Sequence, residues 1–162
     1  CAVLEHSDSK KGIMSSFVKN YDDVTNCLTV DMQYLNTPFA DDGPKEPYIH
    51  MNGTQVFRFA VGAIGEVMDA VLQKAGIKAD DVKYYVPHQA NVRIIQSAAQ
   101  RIKQPIEKFQ VSIRTTGNVS AASIPMALAD LMKSGKVRPG DKIMLVGFGG
   151  GLSAGAILFE AI

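Results

Sequence analysis

Only two cysteines occur among the 162 residues, Cys1 and Cys27, and neither belongs to a CxxC pair. They leave room for one disulfide, but they supply no framework of pairs and no metal site by themselves. No apolar run approaches the ~18 residues that a membrane-spanning helix needs, and no signal-peptide pattern opens the chain. An excess of charge is missing too: 17 Lys+Arg stand against 16 Asp+Glu, a formal net charge of +1. That balance argues against nucleic-acid binding through bulk charge, so an anionic partner has to be met by a local patch. The phosphate-cradling GxxxxGK pattern is also absent. These absences predict a cytoplasmic protein that binds neither membrane nor nucleic acid and carries no metal.

What is present is globular in character. A hydrophobic fraction of 46% with 20% charged residues suits one domain over 1–162 with a real core. The chain starts "CAVLEH", without methionine and within a strand-like run, which predicts a piece of a longer polypeptide. Short β-like runs come first: Ala2-Val3-Leu4-Glu5, a second starting at Gly12-Ile13-Met14, and a weak third at Cys27-Leu28-Thr29-Val30. "NTPFADDGPKEP", Asn36 to Pro47, reads as a loop. From Thr54 to Ala75, apolar residues recur at three- and four-residue steps and predict a core-packed helix closed by Gly76. Val82 to Val86 reads as a strand, Gln89 to Ile102 as a helix and Phe109 to Ile113 as a strand. Ser123 to Met132 forms a further helix, with Pro125 tolerable in its first turn. Lys142 to Gly147 and Ala154 to Ile162 are closing strands around "GFGGG". Strands alternating with helices predict an α/β layered domain with a terminal hairpin.

Within "YYVPHQANVRII", His88 follows Pro87, which discourages helix at Val86 and so ends the strand. Ligand crevices of α/β sheets lie at strand carboxyl ends, so His88 is either aimed at such a crevice or bonds a neighbouring carbonyl structurally. Asn118, in "TTGNVSAASIP", occupies the same kind of corner behind the permissive Gly117. Asparagine also suits a turn or cap, and Ser120 or Ser123 could cap the helix that follows. Together His88 and Asn118 could both donate to one carbonyl oxygen, as oxyanion and enolate holes do. In "GFGGGLSAGA", Gly149, Gly151 and Ala154 match a GxGxxA spacing, but the following "AILFEAI" is strand-like rather than the helix a dinucleotide site requires. A tight hairpin whose backbone approaches a ligand fits better. Arg93 and Arg101 lie off the apolar stripe of their helix, as a solvated face would. Cys27 has acidic neighbours and opens no helix, so nothing lowers its thiol pKa, and it is rejected as a nucleophile along with Cys1.

"VPHQANVRII", then "GNVSAASIP", then "GFGGG", with "MNGTQVF" before the first long helix, resemble the C-terminal half of β-ketoacyl-acyl-carrier-protein synthase III. The resemblance spans nearly the whole chain and is tightest from Met51 onward. It implies one half of the thiolase-like layered fold, a mixed β-sheet with packed helices. His88 and Asn118 fall on the histidine and asparagine of a Cys-His-Asn active site that stabilises the enolate as malonyl-carrier protein loses CO₂. Phe148 falls beside that site, and Gly53, Phe57, Ala90, Asn91 and Ile94 fall on positions lining the pantetheine and CoA tunnel. Arg93 falls on an arginine that docks the acyl carrier protein, with Arg101 at a nearby basic position.

The resemblance further implies an acyltransferase starting fatty-acid synthesis, with CoA thioester and phosphopantetheine as substrates and no cofactor. Its expected partners are acyl-CoA, acyl carrier protein, the N-terminal half that bears the nucleophilic cysteine, and a second copy in a homodimer. Without that half the chain is expected to be inactive and to expose an apolar face. Two alternatives stand: an acyltransferase or ketosynthase of secondary metabolism, and a non-catalytic carrier-protein-binding or dimerisation module.

Overall fold

The computed structural model describes residues 5–6, 11–30 and 48–162. Cys1, most of the strand expected at residues 2–5 and the loop expected from Asn36 to Pro47 lie outside them. Four strands make one mixed sheet in the order β1-β6-β5-β4: Ile13–Asn20 (β1), Ser153–Glu160 (β6), Lys142–Gly149 (β5) and Tyr84–Pro87 (β4). β6 runs antiparallel to both β1 and β5, and β5 runs parallel to β4. The closing hairpin is therefore present. A separate antiparallel ribbon pairs Leu28–Val30 (β2) with Ile49–Met51 (β3). The second of these strands had no counterpart among the expectations.

Alternation along the strands assigns each sheet face its helices. Tyr85, Met144, Val146, Ala154, Ala156 and Leu158 face one side, where they pack against Gly53–Ala75 (α1) and Val92–Arg101 (α2). The apolar stripe of α1 is buried as its spacing predicts: Ile64, Val67, Met68 and Val71 are fully enclosed. At ~1.5–3 kcal/mol for each such side chain, this stripe is a main source of stability. Asn52 caps α1 by accepting from the Gln55 amide, and Gly76 ends it at φ 67°, ψ 28°, where glycine carries no steric penalty.

Val86, Ile143 and Ala161 face the other side, beneath Ala127 and Leu131 of Ser123–Lys133 (α4). This face is only partly covered. Beyond α4, Val18, Leu145, Gly155 and Ile157 line an apolar groove of about 410 Å³. Val18 is 71% exposed there. No described helix is long and apolar enough to cross a membrane.

Two expectations change. The strand expected from Phe109 to Ile113 is reduced to one bridge, Tyr85 with Phe109, and Ile113–Thr116 is instead a single helical turn (α3). The physical reason is Gln89, whose side chain takes the backbone groups a longer ladder would have used. The helix expected from Gln89 starts only at Val92, because the Asn91 side chain accepts from the Arg93 amide at 2.8 Å and sets the N-terminus there.

Candidate active site

His88 stands one residue past the end of β4. Its amide donates to the Val146 carbonyl at 2.8 Å, continuing the parallel ladder by one bond. This fixes the backbone from which the imidazole projects. The ring meets the Phe148 ring edge-on, with centroids 5.2 Å apart. Its Nδ1 lies 2.5 Å from the Ser123 hydroxyl at the start of α4. Burial pushes the imidazole pKa below its ordinary value, which favours the neutral ring.

Gln89 supports this corner from inside. It is fully buried and spends both ends of its amide on backbone. Its Nε2 donates to the carbonyls of Pro87 at 2.7 Å and Gln110 at 3.0 Å, and its Oε1 accepts from the amides of Ser112 at 2.9 Å and Ile113 at 3.1 Å. A buried amide with every partner supplied is favourable, and it ties the end of β4 to the segment leading to Asn118. Gly117 makes the last turn into Asn118 at φ 69°, ψ −168°, a conformation nearly confined to glycine. Asn118 Oδ1 then accepts from the Ser120 amide at 3.0 Å, leaving the Nδ2 donor uncommitted among the described residues.

His88 and Asn118 line the same cleft of about 690 Å³. Its walls come from the β2–β3 ribbon, from Val56, Ala90, Ala121 and Ile124, and from the glycine-rich end of β5 with Phe148. A Cβ on Gly147 would lie 3.1 Å from Ile124 Cδ1, so a side chain there would crowd the N-terminal turn of α4 beside the cleft. The structure thus brings together His88, Asn118, Ala90 and Phe148. The other positions assigned to the tunnel do not line this cleft. Asn91 caps α2, Ile94 is 5% exposed in the core against α1, Phe57 lies beneath Arg93, and Gly53 is exposed at the start of α1.

The two arginines differ in their engagement. The Arg93 guanidinium sits 5.8 Å from the Phe57 ring centroid, whereas Arg101 pairs with Asp69 at 2.9 Å and packs over Gly65. Cys27 is buried at 3% exposure, and desolvation, reinforced by Asp23, pushes its thiol pKa up. That is the wrong direction for a nucleophile. Ser123 and Gln89 were not identifiable as site residues from the sequence. Ser123 reads locally as a cap, and its partner His88 lies 35 positions away.

Residues 72–161 match the family model of 3-oxoacyl-[acyl-carrier-protein (ACP)] synthase III, C terminal. The chain is 41% identical over 160 residues to the β-ketoacyl-[acyl-carrier-protein] synthase III of Clostridium beijerinckii, covering 98% of this chain and 49% of that protein. With the Geobacillus kaustophilus protein of the same name it shares 52% over 113 residues, 70% of this chain and 36% of the relative. The crystal structure of 3-oxoacyl-[acyl-carrier-protein] synthase III from Aquifex aeolicus superposes with a TM-score of 0.85 at 38% identity, over 96% of this chain and 46% of that one. The chain spans about half the length, or less, of these relatives.

Proposed function

The chain belongs to the 3-oxoacyl-[acyl-carrier-protein] synthase III family, and from that premise we propose that it supplies the histidine and asparagine of a decarboxylating condensation site. The observation that carries this reading is the pairing of His88 and Asn118 on one cleft, each with its other polar atom already bonded within the protein. His88 Nε2 and Asn118 Nδ2 are then the donors left to converge on one oxygen.

In the proposed reaction an acyl-CoA primer acylates a cysteine on the half of the enzyme outside this chain. A malonyl group on acyl carrier protein enters the cleft with its thioester oxygen between His88 and Asn118. Cleavage of the carbon–carbon bond to the carboxylate releases CO₂ and sends the electron pair to the thioester as an enolate. Its oxygen carries negative charge stabilised by the two donors. The enolate carbon attacks the acyl-cysteine carbonyl and the cysteine thiolate leaves, giving β-ketoacyl-carrier protein. No cofactor takes part; CoA thioester and phosphopantetheine are substrates. The resemblance implies that this cysteine lies on the other half, and Cys27, buried with its thiol pKa pushed up, does not fit the role. The incompletely covered sheet face suits packing of that half, and the assembled enzyme is proposed to be a homodimer.

The test is condensation by the assembled enzyme with His88→Ala and Asn118→Ala, alongside self-acylation from acyl-CoA. Each substitution should lower condensation by ~10²–10³, the usual cost of one such donor, while sparing self-acylation. Normal condensation by both variants would refute the assignment.

A further inference from the structure

Ser123 is 1% exposed, and its hydroxyl sits between two groups: His88 Nδ1 at 2.5 Å and the Gln89 amide nitrogen at 3.3 Å. The Gln89 amide can only donate, so Ser123 Oγ accepts from it. The hydroxyl proton then needs an acceptor of its own, and among the described residues Nδ1 is the group placed to take it. If Nδ1 carried the ring proton instead, two donors would point at one serine oxygen. The buried hydroxyl proton would then be left without a partner, an arrangement that folded proteins avoid.

We infer that Ser123 donates to His88 Nδ1 and thereby holds the imidazole as its Nε2–H tautomer, making Ser123 a positioning residue for the donor that faces the cleft. This rests on the proposed use of His88 as an oxyanion donor, but the tautomer itself can be observed without any reaction. A ring locked this way presents a proton rather than a lone pair to the cleft. It is set to stabilise a developing enolate and unsuited to removing a proton through Nε2. Desolvation, which favours the uncharged ring, acts in the same sense. Phe148, edge-on to the ring, and the His88 amide bonded to Val146 limit how far the imidazole can turn away.

The experiment is a two-bond ¹H–¹⁵N correlation spectrum of the assembled enzyme labelled on histidine, at a pH where the ring is neutral, with His88 assigned by its loss in His88→Gln. The expected wild-type pattern is a bare Nδ1 and a protonated Nε2. Ser123→Ala should mix the two tautomers, and Ser123→Thr, which keeps the hydroxyl, should restore the wild-type pattern. Condensation by Ser123→Ala should fall about tenfold with its KM for malonyl-carrier protein unchanged, less than the ~10²–10³ of deleting a donor. A protonated Nδ1 in the wild type, or an unchanged spectrum in Ser123→Ala, overturns the inference even if His88→Ala is inactive. Conversely, full activity of His88→Ala would sink the condensation reading while leaving the tautomer result standing.

Discussion

Replacing Gln89 by leucine removes a side chain of similar length and shape but leaves four backbone groups without their partner. These are the amides of Ser112 and Ile113 and the carbonyls of Pro87 and Gln110. An unsatisfied buried polar group costs ~1–3 kcal/mol. Because the segment around Ser112 can shift toward water, the lower figure applies, giving about 4 kcal/mol for the four. Burying leucine in place of an amide returns about 1 kcal/mol, so the net loss is about 3 kcal/mol. In a protein of this size each kcal/mol moves Tm by roughly 2–4 °C, so melting should fall by about 10 °C. Urea unfolding would measure the loss, and hydrogen exchange would locate it at the Ser112 and Ile113 amides, whose partner is Gln89. Gln89→Glu separates the two ends of the amide. A carboxylate still accepts from both amides but sets an oxygen against the Pro87 and Gln110 carbonyls, so it should be no milder than leucine and should recover on acidification as it gains a proton to donate. A loss under about 0.5 kcal/mol with unchanged exchange at Ser112 and Ile113 would refute the view that Gln89 replaces a strand ladder.

His88, with its pKa depressed by burial, binds its proton less readily when folded than when unfolded. Its contribution to stability is therefore present above the unfolded value and is lost as pH falls through the folded one. The urea midpoint should decline across that acidic range and decline less in His88→Gln; identical profiles would contradict a buried neutral ring. Gly117→Ala forces a side chain into φ 69°, ψ −168° and should cost ~1–3 kcal/mol while displacing Asn118. A calorimetric melt matching wild type would show that the turn relaxes freely. For the carrier-protein patch, Arg93→Glu should weaken binding of malonyl-carrier protein in a titration. Arg101→Glu should weaken it less, since Asp69 already neutralises Arg101. Equal affinities for wild type and Arg93→Glu would remove Arg93 from the interface.

Local chemistry made much of this protein legible in sequence. The three- and four-residue steps of α1, its glycine terminus, the strand halted at Pro87 and the apolar runs flanking "GFGGG" each depend on near neighbours, and each corresponds to a structural element. The order of the motifs likewise points to the family. What the tertiary structure decided are the pairings between distant residues. β4 and β5 meet in parallel although more than fifty positions separate them. The extended segment after Phe109 gives up its ladder because one glutamine from another element occupies its hydrogen-bonding groups. Ser123, which reads as an ordinary cap, lies against His88 only because α4 packs on the face of the sheet that carries Val86 and Ile143. Periodicity and caps act over a turn or two of chain, whereas the direction of a buried polar group depends on which partner the completed fold brings within 3 Å.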